Sequence, residues 1–248
     1  MKKKLSVCSA LLTGLIASSA FAGDASTALP VGFSQDGRYF SYIEFGTQDG
    51  SGYPYAMVKF LDVDDNSYSA SPVSVIEDSE SGHLARTVPQ VRRYALLKSR
   101  KALAKLKISK GHLAEILASR KLTDLSATDA GKIQFSRWPI IPGLVSPKYE
   151  VQLTEKPAVQ TGAAKCFFEE NPVMLKLSVK NLDSGKEIVL QDDDKLPSSR
   201  GCVIGYRIQD VIAREDDASK VVVLLNVFTY GFEGADSRTM AVSGILPE

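Results

Sequence analysis

A polar loop between two aromatic segments is the first place where side chains could bind a ligand. The loop has the sequence GTQDGSGYP, in which Asp49, Ser51 and Tyr53 offer a carboxylate and two hydroxyl groups among glycines that permit close backbone approach. The same composition is typical of a chain reversal, where glycine supplies positive φ. No phosphate-binding or dinucleotide-binding glycine pattern is present. We therefore predict a connecting loop, with ligand binding by these three residues as the alternative.

Acidic residues recur at alternate positions just downstream, as they do at the start of a calcium-binding loop. Asp62, Asp64 and Asn66 have this spacing. The sixth position, however, holds Ser67 where glycine is expected, and the twelfth holds Val73 where an acidic residue is expected. We predict a solvated acidic turn here, with no metal and no cofactor.

Side chains that could activate a nucleophile are scarce. The chain has two histidines, His83 in a polar segment and His112 in a basic one, and neither is near a cysteine in the sequence. Covalent catalysis needs a nucleophile beside a base, and the GxSxG pattern of many hydrolases is absent. The sequence therefore identifies no catalytic residue. A hydrolase whose carboxylate and arginine site is assembled from loops stays open as an alternative function.

The N-terminal residues have the pattern of a secretory leader. Lys2, Lys3 and Lys4 precede a short apolar run, and Ala20 and Ala22 are small residues at the positions that a signal peptidase recognises. The run is too short to span a bilayer comfortably, and no later segment resembles a membrane helix. We predict cleavage after residue 22, a periplasmic or secreted location, and a mature chain with 27 basic and 29 acidic residues. An uncleaved anchor is the alternative.

Loss of this leader removes Cys8 and leaves Cys166 and Cys202. An even pair of cysteines in an exported protein favours a disulfide. Such a bridge would close a loop of roughly 35 residues and stabilise the fold by about 3 to 4 kcal/mol in the chain-entropy model. Two buried thiols are the alternative. No CxxC motif is present, so we expect a structural bridge and not a redox site.

The strongest charge feature is a basic segment at residues 85–121. It holds eleven Lys or Arg against Glu115 alone, a net charge of +10. A local field of this strength attracts anionic lipid, a polyanion or an acidic protein surface, whereas nucleic acid would be an unusual partner outside the cell. Pairing with the chain's own acidic loops is the alternative. The residues that we predict to meet the partner are Arg92, Arg93, Lys98, Arg100, Lys101 and Lys105.

The elements that must position these groups are mainly β-like. Aromatic and β-branched residues predict strands at 38–45, 55–63, 149–156, 174–190 and 203–245, with one short strand in the irregular segment before residue 149. The basic segment instead predicts two helices. The first begins near Pro89, and the second follows a Ser109 cap through GHLAEILASRK. One helical face carries an apolar stripe of Val91, Ala95, Ala102, Leu103 and Leu106.

Three stretches of the chain resemble a known family. FSQDGRYFSYIEFGTQDGSGYPYAMVKFLDVD resembles the start, and LPSSRGCVIGYRIQDV and NVFTYGFEGADSRTMAV the C-terminal part, of bacterial predicted secreted proteins catalogued as the domain-of-unknown-function 2259 family. The resemblance implies export but supplies no activity and no site residues. FSQDGRYFSYIEF is also similar to one blade of a WD-like propeller. That pattern does not recur at a fixed spacing, and a propeller needs at least about four blades.

These observations predict one mainly β domain (α+β by content) at residues 23–248. Its antiparallel sheets pack as a sandwich or as blade-like sheets, and a two-helix basic insertion occupies about 86–121. The predicted function is a non-catalytic binding or interaction module whose basic helices meet an anionic partner.

Overall fold

A computed structural model of the chain describes residues 23–78, 86–108, 111–124, 131–138, 141–158, 166, 172–231 and 234–248. Within these residues the chain forms three antiparallel sheets and two α-helices. Three clusters of buried side chains join them into four layers, in the order helices, N-terminal sheet, central sheet and outer sheet. The predicted mainly β fold, with antiparallel sheets packed face to face and a helical insertion, is confirmed.

The N-terminal sheet is buried on both faces. Phe40 and Tyr42 pack towards the central sheet, whereas Ile43 packs towards the helices. Because successive side chains of a strand point to opposite faces, a strand buried on both sides shows little alternation of polarity. The sheet has the order β1-β2-β3-β4, with β5 also paired to β3: β1 Thr27–Phe33, β2 Tyr39–Thr47, β3 Pro54–Asp62, β4 Ser67–Tyr68 and β5 Val73–Ile76.

The alternation of side chains between the two faces of a strand is clearest in the central sheet, which packs against a sheet on each face. Along its strand β12, Val221 and Val223 contact the outer sheet, whereas Val222 and Leu224 contact the N-terminal sheet. Because both faces of β12 are buried, residues 221–225 form the uninterrupted apolar run VVVLL. The sheet has the order β13-β12-β11-β6: β6 Ala114–Ser119, β11 Val203–Arg214, β12 Asp217–Tyr230 and β13 Ala235–Ile245.

The outer sheet covers the second face of the central sheet. Val151, Leu175, Leu177 and Val179 are fully buried in this contact. Burial of such side chains contributes about 1.5 to 3 kcal/mol each. The sheet has the order β10-β9-β8-β7: β7 Lys132–Ser136, β8 Lys148–Pro157, β9 Val173–Asn181 and β10 Glu187–Asp192.

Two consecutive helices, α1 Val88–Lys98 and α2 Arg100–Lys105, cover the free face of the N-terminal sheet. Pro89 lies in the first turn, where its missing N–H costs nothing. A buried stripe at four-residue spacing faces the sheet, as expected for amphipathic helices. Its members are Val91, Ala95, Ser99 and Leu103.

The predicted second helix at GHLAEILASRK is wrong, because residues 114–119 form strand β6. This strand pairs with β11, for example Ile116 with Ile212, and completes the central sheet. The gain from pairing an open sheet edge outweighs the moderate helix propensity of AEILAS. The basic insertion therefore has two helices, but both end by Lys105. The short strand predicted before residue 149 is β7, whereas β1 was not predicted.

The pairing of β6 with β11 buries Asp210, whose side chain accepts hydrogen bonds from Ser119 and Gln209. Desolvation raises the pKa of this carboxyl above its ordinary value. Because the folded-state pKa exceeds the unfolded-state pKa, the protonated form favours folding. Stability is therefore lost as pH rises from the ordinary aspartate pKa through the raised one.

We expect Asp210→Asn to raise the free energy of unfolding at pH 7 by about 1 kcal/mol, the usual size of a single-residue effect. The neutral amide removes the desolvation cost and retains an acceptor. Urea unfolding measured between pH 7 and pH 4 should show the gain shrinking towards low pH. The exposed Asp194→Asn is the matched control. A gain that does not change with pH would contradict this explanation.

Candidate functional site

The predicted disulfide is present between Cys166 and Cys202, whose Cα atoms are 5.7 Å apart. Cys202 directly precedes β11 of the central sheet, and Cys166 lies in the connection between β8 and β9 of the outer sheet. The bridge therefore ties the outer layer to the central one, as a structural disulfide does.

The loop with Asp49, Ser51 and Tyr53 joins β2 to β3 as a hairpin connection. Gly50 and Gly52 have φ of 77° and 68°, in the left-handed region that favours glycine. Hydrogen bonds inside the loop join the N–H of residue 48 to Tyr53 O at 2.9 Å and the N–H of Gly52 back to residue 48 at 3.0 Å. This geometry fits the chain-reversal interpretation, and ligand binding by Asp49, Ser51 and Tyr53 stays a prediction.

The acidic turn after β3 joins the layers of the fold. Asp62 is buried, accepts the N–H groups of residues 64 and 65, and bonds Arg38 at 2.9 Å. Asp64 forms an ion pair with Lys220 of β12. The amide of Asn66 donates to Leu190 O at 3.1 Å, which brings the turn against the outer sheet. The acidic groups of this turn are therefore used within the fold.

Of the two histidines, His112 lies in the part of the chain that the structure describes. His112 lies beside Glu215 and Asp216, with its Nδ1 3.8 Å and 3.4 Å from their carboxylate oxygens. His83 lies outside the described residues. Within the same ranges, no group of three or more His, Cys, Asp and Glu side chains is placed to hold a metal ion.

The predicted basic residues lie on the two helices, turned away from the buried stripe. Arg93, Lys98, Arg100, Lys101 and Lys105 are exposed, and Arg92 is half-buried with its guanidinium 5.1 Å from the centre of the Phe45 ring. We call these six residues the basic helical face. Among the described residues, none of the six has a carboxylate within ion-pair distance. The alternative that these charges pair with the chain's own acidic loops therefore finds no support among the described carboxylates.

Sequence reasoning missed a groove of about 1020 Å³ at the β13 edge of the central sheet. One wall consists of β3, β4 and the chain that follows them, and the other is the connection from β10 to β11. The floor is formed by β12 and β13. The lining residues are Lys59, Leu61, Asn66, Tyr68, Ala70, Pro72, Gln191, Pro197, Ser198, Ser199, Arg200, Gly201, Cys202, Val227, Thr229, Tyr230, Arg238, Thr239, Met240, Ala241 and Val242.

Three ion pairs border this groove, and each has the same arrangement. The carboxylate lies behind the groove with 2% of its side chain exposed, and the cation extends to the lining. Lys59 Nζ is 2.5 Å from Glu44 Oε2, and Arg238 Nη2 is 2.5 Å from Asp24 Oδ2. The third pair joins Arg200 to Asp193. Buried carboxylates fix these cations in place, because leaving such a charge unpaired is costly.

Strand β13 is an edge strand, and side chains of the N-terminal sheet satisfy its outward N–H groups. The N–H groups of Thr239, Ala241 and Ser243 donate to Glu44, Tyr68 and Asn66 at 3.0, 3.2 and 2.8 Å. An open edge would invite pairing with another chain. Here these three N–H groups are already paired, so an added strand would have to displace them.

Two tyrosines complete the polar contacts along this edge. Tyr42 donates to Thr239 O at 3.1 Å, and Tyr55 donates to Asp24 at 3.1 Å. Burial raises the pKa of both phenols above its ordinary value, so both keep their protons at neutral pH and act as donors.

A model of a family described as a predicted secreted protein, DUF2259, matches residues 41–244. This match includes the basic helical face and all of the residues that line the groove. No curated protein and no solved structure matches the chain. In the described part of the chain, no helix is long and apolar enough to cross a membrane.

Proposed function

The chain belongs to the DUF2259 family of predicted secreted proteins, and on this premise we propose that it is a periplasmic, non-catalytic interaction module whose basic helical face binds anionic membrane lipid. The observation that carries the proposal is a row of exposed cations without described carboxylate partners. An exported protein meets membrane surfaces, and anionic lipids attract such clusters.

The arrangement of the cations favours an extended anionic surface over a single small ligand. The cations are distributed along both helices, from Arg92 in α1 to Lys105 in α2. The apolar stripe of both helices packs against the N-terminal sheet. The contact of the basic helical face with the membrane is therefore electrostatic and peripheral, and the helices do not insert into the bilayer. Leu97, which is 45% exposed between these cations, adds one apolar group to the contact.

The paired carboxylates at the groove favour binding over hydrolysis. A general base must present a free carboxylate or imidazole to the substrate. Glu44, Asp24 and Asp193 instead lie behind their cations with 2% of each side chain exposed. A carboxylate and arginine hydrolase site in this groove would need at least one of them to face the groove.

Sedimentation with vesicles tests the proposal. We expect the protein to bind vesicles rich in phosphatidylglycerol at low salt, to release at high salt, and not to bind phosphatidylcholine vesicles. The triple variant Arg93→Gln, Arg100→Gln, Lys101→Gln should bind about a hundredfold more weakly, because each cation near an anionic surface contributes about 1 kcal/mol.

A matched triple variant in the outer sheet, the layer farthest from the helices, distinguishes binding by the basic helical face from binding by the total charge of the protein. Lys148→Gln, Lys180→Gln, Lys186→Gln removes the same charge from exposed positions of the outer sheet and its turns. This variant should keep most of the affinity. Equal losses in the two triple variants would overturn the assignment to the helical face. Absence of vesicle binding by the unchanged protein at low salt would overturn lipid as the partner and favour an acidic protein surface or a polyanion.

A further inference from the structure

We propose that the groove at the β13 edge binds an amphiphilic anion, a small molecule with an apolar chain and a carboxylate or phosphate head group. This site is separate from the basic helical face, and it does not depend on that face binding lipid. The volume of about 1020 Å³ is at the upper end of the range for small-molecule sites.

The charge of the lining indicates an anionic head group. Among the described residues that line the groove, three are cations, Lys59, Arg200 and Arg238, and none is Asp or Glu. The three carboxylates that hold these cations are buried behind them, so a ligand in the groove meets the donors first. Hydrogen bonds from a fixed cation to an anion are about twice as strong as neutral ones.

The cations are also oriented before any ligand arrives. Arg200 Nη2 is 3.2 Å from Asp193 Oδ1, and its Nη1 donates to Tyr206 at 3.2 Å. Arg238 donates to the phenol of Tyr55 at 3.0 Å, and Lys59 Nζ donates to Thr239 O at 2.7 Å. Because their rotamers are already restricted, ordering them on binding costs little entropy.

The rest of the lining accounts for the apolar part of the ligand. Exposed or half-buried apolar side chains from both walls and from the floor surround the same space: Ala70, Pro72, Pro197 and Met240. An extended peptide would be the other occupant of a groove at a sheet edge, through main-chain pairing. The occupied N–H groups of Thr239, Ala241 and Ser243 disfavour it, so we assign a small amphiphile.

Titration calorimetry with decanoate, below its micelle concentration, tests the assignment on the full, oxidised chain. We expect saturable binding at one site with a dissociation constant of about 100 µM or lower, in line with the binding efficiency of small ligands. Decan-1-ol has the same chain and no charge, and it should bind at least about tenfold more weakly. Equal affinities would overturn the anionic head group, and absence of saturable decanoate binding would overturn the site.

Two variants locate the binding in the groove. Ala70→Trp fills the groove from an exposed position and should weaken decanoate binding at least about tenfold, whereas Ala104→Trp, on helix α2, places the same indole elsewhere and should have no effect. The double variant Arg200→Gln, Asp193→Asn removes one cation together with its carboxylate. It should weaken decanoate binding about tenfold and leave decan-1-ol binding unchanged.

The basic-face variant Arg93→Gln, Arg100→Gln, Lys101→Gln distinguishes this proposal from the previous one. It should bind decanoate as the unchanged protein does. If instead it loses decanoate binding while Ala70→Trp keeps it, the anion binds the helices and the groove assignment is wrong.

Discussion

Replacing Lys59 with methionine is expected to lower the free energy of unfolding by about 3 to 5 kcal/mol, the usual cost of breaking a buried ion pair from one side. The change leaves Glu44, which is 1% exposed between the N-terminal and central sheets, without its cation. Urea unfolding followed by far-UV circular dichroism measures the loss.

The size of this effect follows from where the pair lies. Glu44 and Lys59 are on neighbouring strands, β2 and β3, on the face that packs against the central sheet. Both also bond Thr239 of β13: Glu44 accepts its N–H at 3.0 Å and Lys59 donates to its carbonyl at 2.7 Å. The pair is thus shared by two layers, and an uncompensated carboxylate there cannot be solvated.

The double variant Glu44→Gln, Lys59→Met is the control. It removes both charges, and the glutamine oxygen can still accept the Thr239 N–H, so most of the lost stability should return. The double-mutant cycle then gives the coupling between the two side chains. A double variant as unstable as the single one would show that methionine packing, and not the unpaired charge, causes the loss.

The strands of the fold were largely predictable because their composition is distinctive. The strands predicted at 38–45, 55–63 and 149–156 correspond to β2, β3 and β8 within two residues. The hairpin predicted at 174–190 is β9 and β10. Aromatic and β-branched side chains fit a pleated, buried surface wherever it lies in the fold. Local composition is therefore enough to predict these strands.

The elements that were missed depend on neighbours distant in the sequence. Strand β6 has a helix-forming sequence and becomes a strand only because β11, about a hundred residues later, presents an edge. Strand β1 contains Pro30 and Gly32, which are unfavourable in a central strand, but Pro is tolerated at the edge position that β1 occupies. Neither circumstance is visible in the local sequence.

The groove has a signal in the sequence that could have been used. Phe40, Tyr42 and Glu44 alternate along β2 and must share one face, so an acidic residue lies on an aromatic, buried face and needs a partner. The partners are Lys59 and Thr239, the second of which is 195 residues away. The pattern predicts that a buried polar contact exists, but topology alone identifies what Glu44 meets.

Loss of the disulfide is the second large effect that we expect. The double variant Cys166→Ser, Cys202→Ser should lower the free energy of unfolding by about 3 to 4 kcal/mol, because the bridge closes a loop with a sequence separation of 36 in the unfolded chain. The serine variant avoids free thiols. A Cys8→Ser background leaves Cys166 and Cys202 as the only cysteines in the chain.

Reduction provides an independent measurement of the same bridge. Dithiothreitol should lower the stability of the protein to that of the serine variant and should leave the serine variant unchanged. The dependence of the unfolding free energy on urea concentration should also steepen without the bridge, because an uncrosslinked unfolded chain exposes more surface. Equal stability of the oxidised and reduced protein would contradict the prediction.

The position of Cys202 gives this prediction a second consequence. Cys202 lines the groove two residues after Arg200, whose cation we assign to the head group of the ligand. Without the bridge, the connection from β10 to β11 loses its covalent tie to Cys166 and gains conformational freedom. Ordering this connection on binding then costs entropy, so the serine variant should bind decanoate more weakly even under conditions where it is fully folded. Unchanged affinity in the folded serine variant would show that the ion pair of Arg200 with Asp193 alone holds this wall of the groove.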